Sequence, residues 1–189
     1  MVYSRALTYI FEDQDWIKKT LIGVLLTITV VGILAVMGYG FRTAQNIIKG
    51  LDNPLPDWNQ WRNDFKNGLY LFIVLGLYSL PIFPLSVTCL LGILYSILLA
   101  LVLPIIYIQC LSPEGFRAAF FFIEMKNILK HNFNEVLTAA LISLGILLTL
   151  MLISLTFIGV LLVPFGITVS MAWIYGNLYN QITQDNPNA

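Results

Sequence analysis

A single histidine, His131, is the first residue to weigh, because imidazole is the usual proton carrier and metal ligand near neutral pH. It shares one side of a helical stretch with Glu124, Asn127 and Lys130. A zinc-type centre needs several His, Cys or carboxylate ligands at workable spacing, and no such set accompanies it. One surface histidine also gives no Ser-His-Asp arrangement. The glycines fall mostly in apolar sequence, where small residues let helices approach, so no loop is built to cradle phosphate. Cys89 and Cys110 both lie in apolar runs and read as buried small hydrophobes. The residue types point away from an enzyme and call for no metal or cofactor.

The polar residues with most to say lie beside or inside apolar sequence: Arg42, Gln45, Asn46, Gln109 and Asn177. Such groups are costly in a membrane and mark pathways or pairs, unless they snorkel to the interface. Both readings stay open. Trp16, Trp58, Trp61, Phe65, Phe121, Phe122 and Trp173 have the character of membrane-interface anchors, with indoles at headgroup level. Gly32, Pro81, Pro84, Pro104 and Pro164 are expected to turn or break helices.

The elements that must position these residues follow from composition. The chain has 189 residues, 58% hydrophobic and 11% charged, with a mean hydropathy of +0.82. Soluble domains are about 45–50% apolar and about 25% charged. Residues 69–110 and 136–179 contain no Asp, Glu, Lys, Arg or His. About 20 apolar residues cross a bilayer, so each stretch is long enough for two crossings. The formal net charge is zero, and no basic run suggests nucleic acid.

The expected fold is all-α and polytopic, one membrane domain over residues 1–189 with about 5–6 membrane segments. Three units, 1–41, 42–110 and 111–183, each place a polar, aromatic stretch before an apolar one, and a polar tail occupies 184–189. Pro56–Gly68 is expected to lie on the membrane surface as an amphipathic helix, and 116–133 to present Phe121, Phe122, Met125, Ile128, Leu129 and Phe133 on one face. Thr29-Val30-Val31-Gly32 resembles Thr156-Phe157-Ile158-Gly159 at the same relative place. With Asp15-Trp16 and Asp57-Trp58 each opening a segment, this suggests three related interfacial-helix-plus-hairpin repeats.

All ten Lys and Arg precede the three apolar stretches, which puts these segments, and both termini, in the cytoplasm by the positive-inside rule. Residues 21–41 would make about 32 Å of helix, enough for one crossing. A hairpin bending at Val31-Gly32 would keep every basic residue on one side, but it would be re-entrant and need shielding by protein. A plain five-crossing chain is the alternative.

Three segments carry a resemblance: Phe11-Glu12-Asp13-Gln14-Asp15-Trp16-Ile17-Lys18-Lys19, Gly38-Tyr39-Gly40, and Asp52-Asn53-Pro54-Leu55-Pro56-Asp57-Trp58. Together they resemble a prokaryotic multi-pass membrane family catalogued as domain of unknown function 4013, over nearly the whole chain. Gln14 stands where that pattern has proline. The resemblance implies a prokaryotic cell membrane and no assigned activity. The expected function is a small oligomeric channel or transport protein for an ion or small solute, with the lipid bilayer and further copies of itself as partners. The alternative is a non-catalytic protein that shapes or scaffolds the membrane.

Overall fold

The computed structural model describes residues 5–185. Residues 1–4 of the N-terminal segment and 186–189 of the expected tail lie outside the described residues. No strand occurs among the described residues. A 3-10 turn, Tyr9–Glu12, precedes α1 (Trp16–Thr27), α2 (Val30–Ile48), α3 (Trp61–Ser79), a single turn α4 (Ile82–Leu85) and α5 (Cys89–Leu111). A second 3-10 turn, Gly115–Phe120, leads to α6 (Phe122–His131), α7 (Phe133–Ile153) and α8 (Phe157–Asp185).

Three stretches among the described residues are long and apolar enough to cross a membrane: Trp61–Leu85, Cys89–Leu111 and Phe133–Ile153. Most of their side chains are uncovered by the rest of the protein; Phe83, Leu90, Ile97 and Leu152 are all more than half exposed. That much contiguous hydrocarbon suits lipid and not water. The molecule is an all-helical membrane protein.

The helices pair as antiparallel arms joined by tight turns, and the turns are built alike. Their sequences are Leu26-Thr27-Ile28-Thr29, Leu85-Ser86-Val87-Thr88 and Ile153-Ser154-Leu155-Thr156. In each, the first hydroxyl donates three residues back, to Val24, Phe83 or Met151. The second donates to the carbonyl of Leu26, Leu85 or Ile153. Thr29 and Thr156 also accept from the amides of Gly32 and Gly159, both at 3.0 Å. One hydroxyl therefore serves the carbonyl end of one helix and the amide end of the next, groups that a helix leaves without intrahelical partners. Glycine is required there: a Cβ on Gly32 would stand 2.0 Å from the Leu26 oxygen, and one on Gly159 would stand 1.9 Å from that of Ile153.

Helix α2 is the central element, packed against α1, α3 and α8. A Cβ on Gly38 would lie 1.6 Å from the Asp64 carbonyl, and one on Gly68 would lie 1.7 Å from the Leu34 carbonyl. These facing pairs run in opposite directions, so α2 and α3 are antiparallel at backbone contact. Carried along that register, Thr29 stands level with about Ile73, halfway along Trp61–Leu85. Gly40 meets Thr168, and Gly176 meets Ala44 and Ile47, so α8 runs parallel to α2 with its own turn near the same height. Tyr39, Val36, Phe165 and Val169 are buried where α2 and α8 meet. A larger core joins Phe41 and Ala44 to Ile105, Ile106, Ala139, Ala172 and Leu178. Gly50, at φ 70°, ends α2: its amide bonds to the Ile47 carbonyl and that of Leu51 to Asn46, a left-handed C-terminal cap.

Several details differ from the sequence expectation. The first turn falls at Ile28-Thr29 rather than Val31-Gly32, because Thr29 is the residue that can cap; Gly32 lies in the first turn of α2. No separate surface helix covers Pro56–Gly68: 56–60 is loop, and Trp61 begins a helix that continues to Ser79. Pro81 and Pro84 lie at and within α4, between the two arms. Pro104 and Pro164 sit inside uninterrupted helices, and Pro104 marks where α5 passes from exposed to buried. The face expected over 116–133 is divided. Met125 is buried and Ile128 and Leu129 partly so, whereas Phe121, Phe122 and Phe133 are exposed together with Phe120 and Ile123.

The glycine contacts set a ranking. Gly38→Ala and Gly68→Ala should each destabilise the detergent-solubilised protein by about 1–3 kcal/mol through overpacking. Gly76→Ala and Gly145→Ala, where a Cβ would meet nothing within 4 Å, should be neutral or gain about 0.5–1 kcal/mol of helix propensity. Denaturant titration in micelles measures the order; equal effects at all four positions would remove the backbone-contact account.

Candidate functional site

Charge is buried at the end of the molecule opposite the turns. Lys19 lies on α1 with Gly23 one turn further on; that face packs against α8, where a Cβ on Gly23 would strike the Phe165 ring. Lys19 is 7% exposed. Its Nζ donates to Asp13 Oδ2 at 2.7 Å and to the Leu55 carbonyl at 2.9 Å, with Asp57 Oδ1 at 3.4 Å. Neighbouring Lys18 is exposed, so two adjacent lysines have opposite fates. Asp13, at 3% exposure, also accepts from the Asp15 amide at 2.7 Å. Asp15 occupies the N-cap position of α1 but makes no side-chain cap bond.

The loop 49–60 is held from both sides. Trp58 Nε1 donates to the Lys19 carbonyl at 2.9 Å. Its ring stacks on Tyr39 at 4.1 Å and on Trp61 at 5.2 Å. Arg42 Nη2 donates to Asp64 Oδ2 at 2.7 Å and to the Asp57 carbonyl at 2.8 Å, and Nη1 to Asn59 Oδ1 at 3.2 Å. Asn46 Nδ2 donates to the Pro54 carbonyl at 2.9 Å. Each buried cation is thus neutralised by a carboxylate and further bonded to the loop, as burial of charge demands.

Burial works to raise the Asp13 carboxyl. The hydrogen bonds from Lys19, the Asp15 amide and Asn53, with the Lys19 charge, outweigh it and hold the group below its ordinary value. Tyr39 Oη, Arg42 Nε, Asp64 Oδ1 and Thr20 Oγ1 are buried with no protein partner; orphans of this kind are met by ordered water.

Of the polar residues singled out from sequence, the structure brings Arg42 and Asn46 to this loop, with Gln45 half-buried beside them on α2. Gln109 is buried near the end of α5, at a different place. Asn177 donates to the Trp173 carbonyl at 2.8 Å within α8. Among the anchors, Trp58 and Trp61 enter the cluster, Phe65 is exposed on α3, and Trp16 is half-buried with Phe11 edge-on at 4.9 Å. Trp173 stacks on Tyr9 at 4.5 Å, and the Tyr9 hydroxyl donates to the Val169 carbonyl at 2.8 Å. Sequence reasoning did not single out Asp13, Lys19, Tyr39, Asp57 or Asp64 as a group. One signal was available: Lys19 shares a helical face with Gly23, the kind of small residue that marks a packed face.

Compared with known proteins, residues 21–91 match the family model described as Protein of unknown function (DUF4013). That confirms the resemblance from Leu21, within α1, to Leu91 at the start of α5, including Gly38-Tyr39-Gly40 and the 52–58 loop; the match does not extend over the segment 11–19. No curated protein and no solved structure matches the chain.

Lys19→Met strands the Asp13 carboxylate and should cost about 3 kcal/mol or more, read as a fall in thermal midpoint in detergent. Because the folded Asp13 value is depressed, its stabilisation is complete above the ordinary aspartate value of about 3.9. It is lost as pH falls through the lower folded value. Trp58 fluorescence should report an acid transition below that range, and Asp13→Asn should abolish it; an unchanged transition in that variant would disprove the assignment.

Proposed function

We propose that the protein is a non-catalytic, one-sided membrane wedge: three hairpins that enter from the cytoplasmic leaflet and organise or bend the bilayer. The observation that carries this reading is the depth of the first hairpin. Its turn stands level with the middle of Trp61–Leu85, leaving about 18 Å of the α3–α5 arm beyond it. The cross-section is therefore largest at the charged end and shrinks to one hairpin at the other. A body of that shape expands one leaflet more than its opposite.

The shared turn chemistry supports a reading of six membrane segments in three related hairpins. The exposed turn residues Ile28, Val31, Val87 and Leu155 suit hydrocarbon at all three tips. The basic residues lie with the wide end, so the positive-inside rule sets that end and both termini in the cytoplasm of a prokaryotic cell. The exposed Phe120, Phe121, Phe122 and Ile123 would sit at the headgroup boundary.

A second reading, an oligomeric channel for an ion or small solute, draws on the orphaned polar atoms beside Arg42 and Asp64, since intramembrane polar groups can line pathways. The uncovered faces of α3, α5 and α7 leave room for further copies.

One reconstitution separates the two. Rising protein-to-lipid ratio should shrink or tubulate liposomes without releasing an entrapped dye, and Phe122→Glu with Ile123→Glu should reduce the effect. Unchanged vesicle shape would refute the wedge, and selective ion flux lost on Arg42→Ala would establish the channel in its place.

A further inference from the structure

Gly68 turns one face of α3 toward α2. The opposite face carries a groove. One wall is the ridge Tyr70, Ile73, Val74 and Leu77, at the spacing that puts residues on one side of a helix. The other wall is the second 3-10 turn, through Phe116, Arg117 and Phe120. The groove has a volume of about 290 Å³. From Tyr70 to Leu77 it runs about 10 Å along the helix axis.

The turn is fixed in place. Phe116 stacks on Phe41 of the core at 5.0 Å and meets Tyr70 at 5.4 Å, and Phe120 stacks on Tyr78 at 6.1 Å. It therefore runs alongside α3 in the same direction, with Phe116 and Arg117 toward the Tyr70 end. Ala118 and Ala119 are buried, so the wall stands before anything binds. Tyr70, Ile73, Leu77 and Phe120 remain exposed, which leaves the groove open along its length.

Charge is confined to one end. Lys66 Nζ lies 5.8 Å from the centre of the Tyr70 ring, within reach of a cation–π contact, and Arg117 lines the groove beside Phe116. Both are exposed. Neither belongs to an ion pair among the described residues, whereas Lys19 and Arg42 are both paired. Glu114, the carboxylate nearest Arg117 along the chain, accepts from Ser112 Oγ at 3.4 Å, and no Asp or Glu lines the groove.

We infer that this groove seats an anionic phospholipid, with one acyl chain along Ile73, Val74 and Leu77 and its phosphate against Lys66 and Arg117. Shape and charge select the occupant together. An acyl chain in a bilayer runs roughly along a membrane-spanning helix, and anionic headgroups gather where basic residues do. A choline headgroup brings its own cation, which answers its phosphate and leaves both protein cations uncompensated. A glycerol headgroup brings none. The inference needs only that α3 lies in a bilayer, so it rests on neither the wedge nor the channel.

The test uses the full-length protein. Native mass spectrometry from nanodiscs of equal parts phosphatidylglycerol and phosphatidylcholine reads which lipid is retained, and phosphatidylglycerol should be preferred. Lys66→Gln and Arg117→Gln should each lower that preference about fivefold, the weight of one basic residue at an anionic surface. Ile73→Trp should fill the groove and lower retention with both cations intact. Lys49→Gln, at an exposed lysine outside the groove, should change nothing. All four side chains are exposed, so thermal midpoints should stay at the parent's value and lost binding cannot be put down to unfolding. No preference for phosphatidylglycerol, an equal effect of Lys49→Gln, or full retention by Ile73→Trp would overturn the site. Undeformed liposomes, which refute the wedge, would leave it standing.

Discussion

A helix that ends inside hydrocarbon has to satisfy its own terminal backbone groups, because no water is there to do it. At the three turns of this protein serine and threonine hydroxyls bond to the carbonyl end of the first helix, and at two of them the threonine, Thr29 or Thr156, also serves the amide end of the next. The economy makes the turns short, and a short turn forces its two arms side by side. It also excludes side chains at Gly32 and Gly159, since the preceding helix's last carbonyls occupy that space. With the turns self-contained, everything charged is free to collect at the other end.

At that end the difficulty is reversed. Lys19 on α1 and Arg42 on α2 are both carried largely into the protein. An unpaired ammonium there would be strongly destabilising, and even paired charges gain less stability than positional definition. The pairs therefore act as fasteners. Lys19 ties α1 to the Asp13 segment and to Leu55, and Arg42 ties α2 to Asp57, Asn59 and Asp64. Between them Trp58 is locked against Tyr39. The loop so held delivers Trp61 to the start of α3 in the register that lets Gly38 and Gly68 bring two backbones into contact. The Arg42–Asp64 pair and the glycine contacts thus agree on one depth of the first hairpin relative to α3.

The uneven covering of the helices follows from the same arrangement. α2 and the lower part of α8 are enclosed by protein, whereas the upper parts of α3 and α5 are bare. Tyr95 steadies the bare arm by donating to the Tyr78 carbonyl at 2.7 Å. Tyr78 in turn donates to Ala119 at 2.5 Å, linking α3 to the turn before α6. Polar side chains here serve backbone groups far more than one another, as expected where carbonyls cannot reach water.

The sequence by itself determined the membrane character, the helical class and the end at which charge gathers. These depend on summed hydrophobicity and charge spacing along the chain, and neither needs a partner element. It also marked Thr29 and Thr156 as equivalent, though not the matching Thr88, whose glycine, Gly92, stands one residue further on. Only the tertiary structure decided that Lys19 is buried while Lys18 is not, that Trp58 reads a backbone carbonyl rather than the headgroups, and that Asp64 answers Arg42 across a loop. Those outcomes depend on which neighbours face each side chain, and that is set by helix register, a quantity fixed by glycine contacts between segments distant in the chain.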